Sequence, residues 1–329
     1  MDWIALKRTI QFNTILSVLF VTLFILPLTA QEEITVPELY EHIETLTDEK
    51  FKGRAPGGRL NKKLIRYIRR DLKKSGVKSF DGGYFQSFQA QIRTPKDQPP
   101  GPKVKTWNVV GLIPGSHPRL KEEYIVLGAH YDHLGHGGPS SRAENQSGIH
   151  AGADDNASGT AALLEIAEKL AANRKLLDRS IIVVAFGAEE QGLLGSRYFI
   201  ENPPVPKNNI KLMINMDMVG RLNDEKHIYM GGAGTFPGGM DLMKTRGIEM
   251  GLTPIVHAGE VGGSDHVSFY REKISVLGLH TGGHPQYHTP EDTIDLINFS
   301  GQRKVAAYIY EVILHVASEK QELRFIDQG

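Results

Sequence analysis

The segment Ile181-Ile-Val-Val-Ala-Phe-Gly-Ala-Glu-Glu190 contains six consecutive apolar residues followed closely by two glutamates. An uninterrupted apolar run of this kind is typical of a strand that is buried on both faces of a parallel sheet. In an open α/β sheet, ligands bind at the carboxyl ends of the strands. The segment therefore predicts a central strand with a functional site at its end.

Three further apolar runs are followed by side chains that bind metals. These runs are residues 124–129, 210–216 and 274–279. Another carboxylate lies where the loop 152–159 opens into a predicted helix. Because the carboxyl ends of parallel strands share one edge of a sheet, we expect these side chains to form a single metal site. The predicted ligands are His130, Asp155, Glu190, Asp217 and His288.

Helical patterns alternate with the predicted strands. Apolar spacing predicts helices at 60–74, 157–170, 192–201, 239–251 and 301–317. Such alternation predicts a single α/β domain whose mixed, mainly parallel sheet is flanked by helices on both faces. The proline-rich tract 93–105 is interpreted as a connection within that domain and not as a domain boundary.

The composition argues against two classes of partner. The chain has 38 Lys and Arg residues against 38 Asp and Glu residues. It therefore has no basic field that would attract nucleic acid or an anionic membrane surface. It also contains no cysteine, which excludes disulfides and a cysteine lipid anchor. We expect neither a nucleic-acid partner nor stable membrane association.

The N-terminal residues are predicted to be an export signal. A basic start precedes an apolar stretch at 15–26, which is too short for an ordinary transmembrane helix, and Ala30 offers a cleavage point. An uncleaved anchor is the alternative, although Gln11 and Asn13 weaken the longer span that it needs. The expected division is a signal peptide at 1–30 and a domain at 31–329, in a periplasmic or extracellular protein.

His130 and Asp132 are two positions apart at the end of a predicted strand, so their side chains point to the same side. A metal-binding imidazole usually donates its other N–H to a carboxylate. Asp132 is predicted to accept that hydrogen bond and to orient His130. His133 is expected to point the other way and not to be a ligand.

Asp154 and Asp155 lie next to each other at a helix start, where one of them could be an N-cap. The loop has more carboxylate than a cap requires. A helix N-terminus and nearby cations both favour the ionised form of a carboxylate. Asp155 is predicted to bridge two cations, and Asp154 to have a solvent-facing or supporting role. Asp217 ends an apolar run, where a bound cation would offset the cost of burying its charge.

Glu189 and Glu190 are adjacent, so their side chains diverge. Glu190 is predicted to be the metal ligand, and Glu189 a general base that faces a water in the site. An isolated acidic pair at a helix start would instead be a partner of the helix dipole. Tyr287, beside His288, is predicted to donate its hydroxyl to a developing oxyanion. Weaker candidates for the pocket and its surroundings are Asp265, His266, His280 and His284.

In five motifs the chain resembles the M28 family of co-catalytic zinc peptidases. The motifs are Ala129-His-Tyr-Asp, Gly152-Ala-Asp-Asp-Asn-Ala-Ser-Gly, Phe186-Gly-Ala-Glu-Glu-Gln-Gly, Asn215-Met-Asp-Met and Tyr287-His-Thr-Pro-Glu-Asp. The resemblance implies one zinc ion held by His130, Asp155 and Asp217. It implies a second held by Asp155, Glu190 and His288, with Glu189 as the base and a cis peptide bond after Asp155. The protease-associated domain inserted in some family members is not expected here.

The resemblance predicts an exported aminopeptidase with two zinc ions that acts on peptide substrates. Zinc suits a mixture of nitrogen and oxygen ligands. Glutaminyl cyclases, which share the fold and use one zinc ion, are the first alternative. A carboxypeptidase is the second, because the sequence does not orient the loops that choose between chain ends. A non-catalytic binding module would require the loss of ligand positions, and none of the expected ligands is lost.

Overall fold

The computed structural model describes residues 33–143, 148–259 and 262–328. Within these ranges the strands are β1 Phe85–Gln91, β2 Lys103–Ile113, β3 Tyr124–His130, β4 Ser180–Phe186, β5 Ile210–Met216, β6 His227–Gly231, β7 Thr253–Val256 and β8 Ser275–His280. The α-helices are α1 Val36–Thr47, α2 Gly58–Lys74, α3 Gly159–Ala172, α4 Leu194–Glu201, α5 Gly239–Glu249, α6 His266–Tyr270 and α7 Phe299–Ala317. The predicted signal peptide at 1–30 lies outside the described residues.

The strands form one mixed sheet in the order β1-β2-β4-β3-β5-β8-β6-β7. The four central strands β4, β3, β5 and β8 are parallel to one another. On one side β2 pairs antiparallel with both β4 and β1, and on the other β6 is antiparallel to β8 and parallel to β7. The predicted fold class is confirmed, with parallel pairing concentrated at the centre of the sheet.

Both faces of the sheet are covered because its central strands carry apolar side chains in both directions. β3 and β4 are buried along their whole lengths. Ile125 belongs to the larger core, which includes side chains of α1, α2, α3, α5 and α7. Val126, the next residue, belongs to the opposite core with Phe199 of α4 and Phe269 of α6. Successive strand residues therefore serve opposite faces, as the strand period requires.

Two loops differ from the boundaries predicted from the sequence: the loop before α3 and the proline-rich tract before β2. Helix α3 begins at Gly159, two residues later than predicted, because Asp155 and Asn156 have non-helical backbone angles within the wide turn Ala153–Ser158. The proline-rich tract is the connection of the β1–β2 hairpin, and β2 already begins at Lys103. No helix within the described ranges is both long and apolar enough to span a bilayer.

Candidate metal centre

The ends of the central strands bring the predicted ligands together. His130 is the last residue of β3 and is paired in register with Phe186, the last residue of β4. Glu189 and Glu190 follow β4, and Asp217 directly follows β5. Because these strands are parallel, their carboxyl ends lie at one edge of the sheet. The structure therefore brings these side chains together at one edge of the sheet.

Asp155 lies between two histidines. Its Oδ1 is 3.4 Å from His130 Nε2, and its Oδ2 is 3.1 Å from His288 Nε2. On the first side, His130 Nε2 is also 3.4 Å from Asp217 Oδ1. On the second side, His288 Nε2 is 3.4 Å from Glu190 Oε2. Two sets of nitrogen and oxygen donors thus share one carboxylate, in the grouping that the resemblance implies.

The hydrogen bonds of the two imidazoles direct their Nε2 atoms at carboxylates. His130 Nδ1 is 3.2 Å from the main-chain oxygen of Asp132, and His288 Nδ1 is 2.8 Å from that of Ser140. A carbonyl oxygen only accepts, so each Nδ1 carries a hydrogen, and in the neutral ring Nε2 presents a lone pair. Lone pairs and carboxylate oxygens at such distances repel unless a proton or a cation lies between them. This donor chemistry fits zinc.

The carboxylates around His130 change its pKa. Burial acts to lower the pKa of His130, but the carboxylates of Asp217 and Glu189 raise it well above its ordinary value. The pKa of Asp217 is lowered, since His130 opposes the effect of burial. Without a metal, a proton on His130 would therefore neutralise part of the negative charge. With a metal, the cation takes that place.

Asp132 does not orient His130 in the predicted way. Its carboxylate is 4.0 Å from His130 Nδ1, which bonds instead to the main-chain oxygen of the same residue. The carboxylate accepts the backbone N–H of Glu189 at 3.0 Å and that of Glu190 at 3.4 Å. The turn after β4 approaches the end of β3 closely enough to supply these donors. Asp132 therefore positions the two glutamates, and burial raises its pKa to about 6.

Glu189 and Glu190 point into different parts of the centre. A carboxylate oxygen of Glu189 lies within 4.8 Å of ligand atoms of both His130 and Asp217. Glu189 also lines an open cleft of about 650 Å³. Burial raises the pKa of both glutamates well above the ordinary value. Glu189 is therefore placed where a base could meet a water or substrate, and Glu190 lies with Asp155 and His288.

Tyr287 lies in the wall of the same cleft. Its ring stacks on His288 with centroids 3.8 Å apart and an interplanar angle of 25°. The guanidinium of Arg142 lies 4.6 Å from the centre of the Tyr287 ring. Burial raises the pKa of Tyr287, so its hydroxyl remains a donor at neutral pH. Tyr287 therefore lies within reach of a molecule bound in the cleft.

The loop that carries Asp155 is fixed by a carboxylate that the sequence did not single out. Asp292 accepts the backbone N–H of Asp154 at 3.1 Å and that of Asp155 at 3.0 Å. The side chain of Asn156 donates to the carbonyl oxygen of Met216 at 2.9 Å, which ties the loop to the end of β5. The peptide bond between Asp155 and Asn156 is cis, as the resemblance implies.

Arg54 also holds this loop, and no pattern in the sequence indicated this role. The side chain is buried and donates only to carbonyl oxygens. Its acceptors are Leu46 at 3.1 Å, Tyr131 at 2.9 Å, Ala151 at 2.6 Å and Gly152 at 2.7 Å. The guanidinium thereby joins the end of α1, the end of β3 and the start of the Asp155 loop. Burial lowers its pKa to about 10, against the raising effect of nearby carboxylates, so it stays charged.

His133 is closer to the centre than predicted. Its ring is fully buried, and Nδ1 is 2.8 Å from Glu190 Oε1 and 3.8 Å from Asp155 Oδ2. The expectation that it points away is wrong, because the chain leaves the strand geometry after His130 and the alternation of side chains ends there. Burial, reinforced by Arg54, lowers the pKa of His133 well below its ordinary value, so the ring is neutral.

The weaker candidates take supporting positions. Asp154 is buried, accepts the N–H of Gly220 at 2.7 Å and lies 3.3 Å from His284 Nε2, so its role is supporting and not solvent-facing. Asp265 is buried near the site, and burial raises its pKa to about 7. His266 lines the cleft. His280 stacks on Tyr229 with centroids 5.1 Å apart.

Comparison with known sequences gives consistent matches. Residues 108–313 match the family model described as peptidase family M28. An aminopeptidase of Pseudomonas aeruginosa is 31% identical over 193 residues, which cover 55% of this chain and 32% of that protein. Aminopeptidase YwaD of Bacillus subtilis is 31% identical over 180 residues, covering 49% of this chain and 38% of that protein. The chain thus spans about a third of the length of these relatives.

Solved structures share the fold at lower identity. A Bacteroides thetaiotaomicron structure described as a leucine aminopeptidase precursor gives a TM-score of 0.69 at 24% identity, covering 86% of this chain and 98% of that chain. A structure from the same organism described as a glutaminyl cyclase bound to N-acetylhistamine gives the same values. BSAP, a zinc aminopeptidase from Bacillus subtilis, gives 0.66 at 19% identity, covering 91% and 99%.

Proposed function

Because this chain belongs to peptidase family M28, we propose that it is an exported, zinc-dependent aminopeptidase that removes N-terminal residues from peptides. The observation that carries the proposal is the position of Asp155, whose two oxygens face two separate histidines at 3.4 and 3.1 Å. A carboxylate placed in this way suits a pair of cations. The names of the sequence relatives favour aminopeptidase activity, and the predicted signal peptide favours export.

Two zinc ions are proposed as the cofactor. The first would be held by His130, Asp155 and Asp217, and the second by Asp155, Glu190 and His288. Bound there, zinc supplies Lewis acidity and lowers the pKa of water. Peptide-bond hydrolysis at neutral pH needs both effects, since water is a weak nucleophile and the amide carbonyl is unreactive.

The protein's own residues would then move protons and hold the substrate. Glu189 would take a proton from the attacking water and deliver it to the departing amine. Tyr287 would donate its hydroxyl to the oxygen of the scissile carbonyl as negative charge develops there. The carboxylates at the floor of the cleft favour a substrate that presents a free, positively charged α-amino group.

A glutaminyl cyclase is the second candidate, because a structure with that description shares the fold over 98% of its length. The likeness at 24% identity does not separate cyclisation from hydrolysis. The two activities differ in the zinc they require. A cyclase uses one ion, whereas the shared position of Asp155 and the second donor set around His130 favour two.

The test is an assay of the purified, zinc-loaded chain on three groups of substrates. We expect hydrolysis of aminoacyl amides and short peptides with a free N-terminus, and no hydrolysis of the same compounds after N-acetylation. Glu189→Gln serves as the matched control for contaminating peptidases. Cleavage of the acetylated compounds from their C-terminal end would indicate a carboxypeptidase. Ring closure of N-terminal glutamine without hydrolysis would indicate the cyclase.

A further inference from the structure

We propose that His133 is a direct ligand of the second zinc ion, so that this ion has four protein ligands and the first has three. The inference rests on the proposed function, since it concerns a zinc ion in that site. The four ligands of the second ion would be His133, Asp155, Glu190 and His288. His133 contributes a third imidazole to the centre, beyond the five ligands predicted from the sequence.

The spacing of the donor atoms places His133 beside the other proposed ligands of the second ion. A tetrahedral zinc site with bonds of 2.0–2.1 Å has donor atoms about 3.3 Å apart. His133 Nδ1 lies 2.8 Å from a Glu190 oxygen and 3.8 Å from an Asp155 oxygen. His288 Nε2 lies 3.1 Å and 3.4 Å from oxygens of the same two residues. Glu190 presents Oε1 to His133 and Oε2 to His288, and donor atoms of His133, Asp155 and Glu190 all lie within 4.8 Å of one another.

The local structure fixes His133 in this orientation. Its backbone N–H bonds to the carbonyl oxygen of Arg54. The ring lies against Gly152, where an added Cβ would be 2.4 Å from His133 Cδ2, so only glycine permits this approach. Gly152 also has a φ of 58°, which favours glycine independently. The ring edge that carries Nδ1 is thereby left facing Glu190 and Asp155.

The remaining ring nitrogen is buried. His133 Nε2 has no hydrogen-bond partner among the residues that the structure describes. His133 also lines a side cavity of about 230 Å³, separate from the cleft and bordered by Leu134 and Gln191.

The two zinc ions would consequently differ in how fast they exchange with zinc in solution. Sites with four protein ligands hold zinc as a closed structural site, whereas sites with three leave a position open for water or substrate. The second ion should therefore bind more tightly and exchange more slowly. The first, held by His130, Asp155 and Asp217, should be the one that a mild chelator removes.

The test is the zinc-loaded wild-type structure together with zinc titrations of two variants. We expect His133 Nδ1 within about 2.2 Å of the second ion. His133→Gln should weaken one binding event by more than about 100-fold, beyond the roughly 10–100-fold caused by losing an outer hydrogen-bond partner. His150→Gln is the control, because His150 is a nearby buried histidine bonded to Ser141 and Gly148.

The outcomes separate this inference from the proposed function. Zinc at both positions with His133 Nδ1 more than about 3 Å away, donating to Glu190, would overturn the inference alone. Equal zinc affinity in His133→Gln and His150→Gln would do the same. A wild-type chain that binds no zinc would overturn the proposed function as well.

Discussion

Glu189 and Glu190 are neighbours in sequence with different surroundings, and this difference can be measured. Glu189→Gln keeps size and hydrogen bonding but removes proton acceptance. We expect kcat to fall by roughly 10²–10⁴-fold with KM nearly unchanged and zinc content intact. Glu190→Gln should instead weaken zinc binding. Loss of zinc from the first variant and not from the second would mean that the two roles are exchanged.

Asp155 and His288 differ in how many ions they should affect. Asp155 faces both histidines, whereas His288 Nε2 faces only the second donor set. Asp155→Asn should therefore lose both zinc ions, and His288→Ala should weaken one binding event. Elemental analysis after dialysis against a low zinc concentration would measure both effects. Retention of both ions by Asp155→Asn would contradict the shared carboxylate.

For individual residues, the sequence predicted which side chains come together better than it predicted the hydrogen bonds that they make. The residues proposed to bind metal could be found after apolar runs because strand ends have a fixed place in the fold. The acceptor for His130 Nδ1 could not be predicted, because it depends on whether a side-chain or a main-chain oxygen of Asp132 comes closer. Arg54 and His133 were missed or misplaced because their positions depend on loops, which have no periodicity to reveal side-chain direction.

Arg54 connects elements that are distant in sequence, so its loss should affect both stability and the metal. Arg54→Gln cannot replace four donations to carbonyl oxygens, and each buried group left unsatisfied costs about 1–3 kcal/mol. We expect the free energy of unfolding to fall by about 3 kcal/mol or more, together with weaker zinc binding through Ala151 and Gly152. Denaturant melts and zinc titrations measure these changes. If Arg54→Gln had the wild-type free energy of unfolding and the wild-type zinc affinity, the Asp155 loop would not depend on Arg54.

His42 joins α1 to α2 and α3 through a buried polar cluster. Its ring lies 2.6 Å from Tyr67 Oη, 3.0 Å from Glu165 and 4.0 Å from Asp71. Burial acts to lower the pKa of His42, but Glu165, Asp71 and Glu41 raise it. Burial also raises the pKa of Glu165. Both groups bind protons more tightly in the folded state, so their stabilising contribution is lost as pH rises.

We therefore compare the wild type with the double variant His42→Gln/Glu165→Gln. The melting temperature of the wild type should exceed that of the variant at low pH, and this difference should shrink as pH rises. The contribution of His42 is complete below its ordinary pKa of about 6.5 and disappears as pH passes through the raised folded value. Thermal melts from pH 5.5 to about 9 would show the trend. An advantage that grows with pH would contradict the assigned direction.

Elements with a strong apolar pattern were predicted well, and those at the margins were not. β3, β4, β5 and β8 appear within two residues of their predicted positions because they are buried. β1 was not predicted, since its residues are largely polar and it lies at the edge of the sheet. β7, at the other edge, has four residues and no fully buried one. Whether such an edge segment forms a strand depends on pairing with its neighbour and not on its local sequence pattern.

The molecule as a whole should be more stable with zinc than without it. The centre concentrates carboxylates whose mutual repulsion only a cation or protons relieve. A ligand that binds only the folded state stabilises it by about 2.7 kcal/mol at a concentration of 100 times Kd. We expect a chelator to lower the melting temperature and zinc to restore it. Asp155→Asn is the control, and a zinc response in that variant equal to wild type would contradict the assignment.

The shared position of Asp155 has a consequence for how such proteins can diverge. A substitution at His130 or Asp217, at the ends of β3 and β5, would remove donors from one side of Asp155 and leave the other side complete. Neither side chain takes part in the backbone pairing of the strands. On the proposed two-zinc assignment, one such substitution would convert a two-ion protein into a one-ion protein while the backbone pairing of the sheet is kept.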